Sequence, residues 1–160
     1  MKKLHSKDEL TDQFNQRIIV GIGASAGGLE AINELFDNMP SRTGFSFVVV
    51  QHLSPNHRSL MSELLTKHTS MEIREAENGT IPQPDCVYLI PSRKIITLEN
   101  GRFVLHEKEK GSQPSNVIDT FFESLAGECT QKAQHIIHES QLALVGRRLR
   151  HRRLCAYDAL

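Results

Sequence analysis

Residues 18–28 read IIVGIGASAGG, a run of apolar, mostly β-branched residues that passes directly into a glycine-rich turn. An apolar run without polar alternation is typical of a strand buried on both faces of a sheet. Apolar residues then recur at helical spacing, up to the helix-closing Pro40: Leu29, Ile32, Leu35 and Phe36. The stretch predicts a strand–turn–helix unit of an α/β sheet.

A second unit of the same kind follows. Residues 45–50 read FSFVVV, a second predicted buried strand that ends in Gln51 and His52. The next helix is marked by four apolar residues: Leu60, Met61, Leu64 and Leu65. The order strand–helix–strand–helix predicts a parallel sheet with right-handed crossovers.

The middle of the chain changes character. Residues 86–90 read CVYLI and predict another strand. Asn100-Gly101 separates two apolar runs, which is a strong signal for a β-hairpin, expected at the periphery of the sheet. Ser115 is predicted to cap a helix that carries an apolar face: Val117, Ile118, Phe121, Phe122 and Leu125.

Length and composition indicate a single globular domain of 160 residues, 39% hydrophobic and 24% charged. The formal net charge is zero, which gives no general attraction to nucleic acid or membrane. No apolar run is long enough to cross a bilayer, so no membrane insertion is expected. Three cysteines, odd in number and far apart, predict neither a disulfide framework nor a metal site, which favours a reducing, cytoplasmic compartment.

Residues 23–27 fit the pattern G-x-S-x-G, with Ser25 at the predicted strand-to-helix turn. A nucleophilic serine there needs small neighbours, so that its hydroxyl stands clear. The N–H groups of Ala26 and Gly27 lack partners within a helix and could hold a developing oxyanion. The pattern alone is weak, and by itself it favours a glycine-rich turn in which Ser25 only caps the helix.

His52 discriminates better between these interpretations. Ser25 and His52 each follow the carboxyl end of a predicted parallel strand, where sites form in open α/β sheets. A serine needs a neighbouring base, and a histidine suits that role. A capping histidine remains the alternative. The spacing Gly21-x-Gly23-x-x-Ala26 also fits a nucleotide-binding turn, but the next strand lacks the acidic residue that binds the ribose.

Four segments, in order, resemble chemotaxis protein-glutamate methylesterases: residues 19–28, 48–55, 87–91 and 118–125. The similarity runs from about residue 17 to 133. It is nearest to forms in which the esterase precedes a methyltransferase and lacks a leading receiver domain; neither domain is recognised in this chain.

The resemblance implies a doubly wound, Rossmann-like parallel sheet over residues 17–133, after a polar leader at residues 1–16. It also implies hydrolysis of glutamate γ-methyl esters, and deamidation of glutamines, on methyl-accepting chemotaxis receptors within a signalling phosphorelay. Ser25 would be the nucleophile and His52 the base, with no cofactor or metal. A catalytically inactive receptor-binding or scaffold module is the alternative, and a nucleotide-binding domain is a further one.

The segment from Gln134 departs from the family. Relatives have a strand and a Gly-x-Gly-x-Asp-Gly loop whose Asp orients the histidine, whereas this chain reads QHIIHESQL and then turns basic. Residues 134–160 hold five arginines against two acids. The triad Asp is not found, and Asp119 and Asp158 are assigned to no role. We therefore expect an incomplete fold, weak turnover, and a solvated basic tail that arose from truncation or a change of reading frame.

Overall fold

The described part of the chain begins with alternating strands and helices, and four consecutive strands then precede the last helix. The computed structural model describes residues 18–24, 28–51, 60–107, 116–128 and 135–138. The strands are β1 (Ile18–Ala24), β2 (Phe45–Gln51), β3 (Glu72–Glu75), β4 (Cys86–Leu89), β5 (Lys94–Glu99), β6 (Arg102–Glu107) and β7 (His135–His138). The helices are α1 (Leu29–Asp37), α2 (Leu60–Leu65) and α3 (Asn116–Glu128).

Five of these strands form one parallel sheet in the order β3-β4-β2-β1-β7. The pairing of β1 with β2 runs from Ile18 opposite Phe45 to Ala24 opposite Gln51. Strands β5 and β6 form a separate antiparallel hairpin. The predicted α/β fold, with a parallel sheet led by the first two strands and a peripheral hairpin, is confirmed.

Both faces of the sheet are covered around β1, β2 and β4, which explains why these strands lack polar alternation. On one face, α1 and α2 pack against alternate strand residues such as Val20, Ile22 and Val49. On the other face, α3 and the hairpin pack against the intervening residues, among them Ile19, Val48 and Val50. The doubly wound arrangement implied by the resemblance is therefore present. Among the described helices, none is both long and apolar enough to cross a bilayer.

Two edge strands were not predicted. Strand β3 carries a single apolar residue, Ile73, and forms by pairing with β4. Strand β7 pairs with β1 from His135 opposite Val20 to His138 opposite Gly23. It lies beyond the predicted domain boundary at residue 133. The strand forms without a family motif because strand pairing requires only backbone N–H and C=O groups. The leader, Ser115 and the tail beyond residue 138 lie outside the described residues.

Helix α3 holds the hairpin through polar contacts with its turn. Asn100 and Gly101 both have positive φ, 48° and 69°, as expected of the Asn-Gly hairpin turn. The Glu128 carboxylate accepts hydrogen bonds from the Asn100 N–H at 2.9 Å and the Gly101 N–H at 3.1 Å. The Ser124 hydroxyl accepts one from the Leu98 N–H at 3.0 Å. The hairpin and α3 are thus joined on one face of the sheet.

Asp85 joins the amino ends of β2 and β4, at the opposite end of the sheet from the predicted site. Its Oδ1 accepts hydrogen bonds from the N–H groups of Thr43 at 2.6 Å and Gly44 at 2.8 Å. Asp85 itself has a positive φ of 58°, a conformation that Asp and Asn tolerate. The hydrogen bonds from Gly44 and Thr43 lower the pKa of the Asp85 carboxyl below its ordinary value.

We predict that Asp85→Asn lowers the urea midpoint of unfolding at neutral pH, because a neutral acceptor replaces the charged one. A lowered folded-state pKa contributes stability above the unfolded pKa, about 3.9, and that contribution is lost as the pH falls through the folded value. The difference between wild type and Asp85→Asn should therefore shrink as the pH is lowered from about 5. Urea titrations of both proteins measure it, and a difference that does not change with pH would contradict the assignment.

Candidate functional site

The carboxyl ends of β1 and β2 define the candidate site. Ala24 and Gln51 are the last residues of their strands and are register partners. Neighbouring strands lie about 4.8 Å apart, so the chain leaves the sheet at two adjacent points. From β1 the chain passes through α1 to β2, whereas β7, on the other side of β1, is preceded by α3 on the opposite face. Such a switch point leaves a crevice in which α/β proteins bind ligands.

The predicted site residues follow these strand ends directly. Ser25 comes after Ala24, and His52 comes after Gln51. Ser25, Ala26, Gly27 and His52 all lie outside the described residues, so their roles stay predictions. The described residues fix the two strand ends from which both loops start, side by side at one edge of the sheet.

Helix α3 packs closely against β1 just below this edge of the sheet. Gly21 and Gly23 lie on the face of β1 that α3 covers. A Cβ at Gly23 would lie 2.8 Å from Ile118 Cγ2 and 2.9 Å from Phe122 Cζ. A Cβ at Gly21 would lie 2.9 Å from the same phenyl ring, at Cε1. The helix therefore occupies the volume that side chains would fill at both positions.

The direction of α3 follows from the same contacts. Ile118, near its start, faces Gly23, whereas Leu125, about two turns later, faces Gly21. The helix thus runs antiparallel to β1, and its amino end lies at the carboxyl edge of the sheet. Asp119 is exposed in the first turn of α3.

A third connection leaves the sheet at the same edge. Strand β4 ends at Leu89, opposite Val49 of β2. The chain then turns, and the Lys94 N–H donates a hydrogen bond to the Pro91 carbonyl at 3.2 Å. Arg93, in this turn, is exposed and has a positive φ of 61°. The edge that carries the two predicted catalytic loops therefore also carries a cationic side chain.

The buried ionisable groups of β4 belong to the core. Burial raises the pKa of the Cys86 thiol and of the Tyr88 phenol. The Tyr88 hydroxyl accepts a hydrogen bond from the Gln83 N–H at 2.9 Å. Because a buried thiol of raised pKa is a poor nucleophile, Cys86 is not a candidate nucleophile.

Comparison with known protein families identifies the fold. Residues 20–137, from β1 into β7, match the family model described as CheB methylesterase. The chain belongs to the CheB methylesterase family. The predicted resemblance to chemotaxis protein-glutamate methylesterases is confirmed, and the family match extends past residue 133. The nearer kinship with methyltransferase fusions stays a prediction.

Individual relatives agree with this assignment. A Burkholderia lata protein named protein-glutamate methylesterase/protein-glutamine glutaminase 2 is 36% identical over 115 residues, covering 69% of this chain and 33% of that protein. A Treponema denticola protein-glutamate methylesterase/protein-glutamine glutaminase is 30% identical over 125 residues, covering 74% and 33%. The chain spans about a third of the length of these curated relatives.

A solved structure shows the same architecture. The crystal structure of the Thermotoga maritima CheB methylesterase catalytic domain aligns with a TM-score of 0.65 at 26% identity. The alignment covers 77% of this chain and 67% of that one. The sheet and its helices are therefore those of a CheB catalytic domain.

Sequence reasoning missed the packing of α3 on Gly21 and Gly23. The two glycines stand two apart, so they share one face of a strand. The apolar residues of α3 were identified as a helix face. Neither local pattern says which strand that face covers, because the contact joins segments about a hundred residues apart.

We predict that Gly23→Ala destabilises the protein by about 1–3 kcal/mol, because the added methyl overpacks the contact with Ile118 and Phe122. The matched control is Gly127→Ala in α3, where a Cβ meets nothing within 4 Å among the described residues. That helical substitution should stabilise by about 0.5–1 kcal/mol. Urea unfolding at equilibrium measures both free energies.

A double variant tests whether the contact with α3 is responsible. Phe122→Leu in the Gly23→Ala background should recover part of the lost free energy, since the shorter side chain withdraws from the new methyl. Equal effects of Gly23→Ala and Gly127→Ala, or strict additivity of the two substitutions, would contradict this packing.

Proposed function

We propose that this chain acts as a protein-glutamate methylesterase on glutamate γ-methyl esters of methyl-accepting chemotaxis receptors, in the cytoplasm, with deamidation of glutamine as a related activity. The observation that carries the proposal is the register of Ala24 opposite Gln51. It brings the starting points of the Ser25 and His52 loops together at one edge of a sheet that belongs to the CheB methylesterase family.

The mechanism uses nucleophilic catalysis by a serine with a histidine base. His52 takes the proton from the Ser25 hydroxyl as its oxygen attacks the ester carbonyl. The N–H groups of Ala26 and Gly27 hold the negative oxygen that develops. His52 then gives the proton to the departing methoxide, which leaves as methanol, and a water molecule hydrolyses the acyl-enzyme to the carboxylate. With a glutamine side chain the leaving group is ammonia.

The orientation of His52 limits the rate that we expect from this mechanism. Strand β7 pairs with β1 and ends beside Gly23. By the resemblance, the family has an Asp loop after a strand in this part of the sequence. The residues that follow β7 in this sequence contain no Gly-x-Gly-x-Asp-Gly segment. In the chymotrypsin-type triad, loss of the Asp lowers kcat about 10⁴-fold, so turnover by this chain should be slow.

The same register of the strand ends also supports a second candidate function. A chain that keeps the sheet and the strand ends but not the Asp loop could bind a receptor without hydrolysing it. This non-catalytic module differs from the esterase in one measurable respect, which is the reactivity of Ser25.

We predict that a fluorophosphonate probe labels Ser25, and that Ser25→Ala abolishes the labelling. His52→Gln should slow it about 10²-fold or more, because the base that activates the hydroxyl is lost. The control is Ser41→Ala, which removes an exposed serine before β2, at the amino edge of the sheet. Mass spectrometry of the labelled peptide, together with methanol release from a methylated receptor fragment, measures the outcome.

Two outcomes would change the conclusion. Labelling that persists in Ser25→Ala would contradict the nucleophile assignment. Capture of the receptor fragment by a wild-type protein that is never labelled would favour the non-catalytic module.

A further inference from the structure

The turn that follows β4 holds an arginine in an unfavourable backbone conformation. The hydrogen bond from the Lys94 N–H to the Pro91 carbonyl closes the turn, and Arg93 occupies its third position with a φ of 61°. A positive φ at that position is the signature of a type II turn, in which glycine or asparagine is preferred. Backbone strain of this kind is often retained at functional sites.

The Arg93 side chain is exposed, and no described residue forms an ion pair or hydrogen bond with it. Its neighbours are engaged in other contacts. Lys94 pairs with Glu107, and the Arg102 guanidinium donates to the Gly79 carbonyl at 3.0 Å. Arg93 is therefore free to bind a ligand, as far as the described residues determine.

The position of Arg93 relates it to the candidate site. Strand β2 lies between β4 and β1, so the carboxyl ends of β4 and β1 are two strands apart, about 10 Å along the edge. Of the acidic residues that end nearby strands, Glu107 of β6 is paired with Lys94, and Glu75 ends β3 on the far side of β4. Arg93 therefore lies at the same edge of the sheet as the carboxyl end of β1, and Glu75 lies farther along that edge.

We propose that Arg93 binds a carboxylate of an acidic protein segment whose esterified glutamate lies at Ser25. This inference rests on the proposed function. Hydrolysis of a glutamate ester leaves a carboxylate, so a segment with several such glutamates is acidic. A guanidinium binds a carboxylate through two parallel hydrogen bonds, which suits an exposed docking contact.

The test is fluorescence anisotropy with a labelled peptide rich in glutamate, in which methionine replaces the modified residue so that no ester is present. Arg93→Gln should weaken binding about fivefold, the magnitude of an exposed bidentate pair. The matched control is Arg42→Gln, which removes an exposed arginine at the opposite, amino edge of the sheet. A second peptide, with glutamine in place of each glutamate, should bind wild type and Arg93→Gln equally.

Arg93→Gly separates recognition from folding. Glycine accommodates the positive φ, so this variant should melt at or above the wild-type temperature while it loses peptide affinity like Arg93→Gln. A wild type that does not bind the acidic peptide, or equal losses in Arg93→Gln and Arg42→Gln, would overturn the proposal. Because the peptide carries no ester, failure of Ser25 labelling would refute the esterase and leave this measurement intact.

Discussion

The parallel pairing of β1 with β2 is the constraint on which the remaining features of the site depend. It is continuous from Ile18 opposite Phe45 to Ala24 opposite Gln51. Because successive side chains point to opposite faces of a strand, a slip by one residue would exchange the two faces of β1. Val20 and Ile22 would then face α3, in place of the glycines that α3 requires. The same slip would also move the Ser25 and His52 loops out of alignment.

The register is enforced by an asymmetry between the two faces of β1. Toward α1, the strand presents Val20 and Ile22, which are 3% and 0% exposed and belong to the core. Toward α3, it presents Gly21 and Gly23, and the rings and branched chains of α3 fill the space. Because Glu128 and Ser124 of α3 accept hydrogen bonds from the hairpin, the hairpin stabilises the helix that packs on β1. Strand β1 is thus held from both sides, immediately before the predicted nucleophile.

Elements with a strong local pattern could be predicted from the sequence. The buried run of β1, the helical spacing of α1 and the Asn-Gly turn each specify their structure within a few residues. Strand β3 could not be predicted, because its sequence EIRE carries one apolar residue and the strand exists through its partner β4. The strand order alone predicted that β1 and β2 end at one edge of the sheet, from which the chain continues to Ser25 and His52. The backbone conformation of Arg93 could not be predicted, because the hydrogen bond that closes the turn sets it.

The structure also bears on the nucleotide-binding interpretation of the glycine-rich stretch. That interpretation used Gly21 and Gly23 as the glycines that let a phosphate approach the backbone. Both glycines lie within β1, and their missing side chains are replaced by Phe122 and its neighbours on α3. Close helix packing therefore accounts for this spacing without a phosphate. The esterase interpretation depends instead on the residues that follow Ala24, the last residue of β1.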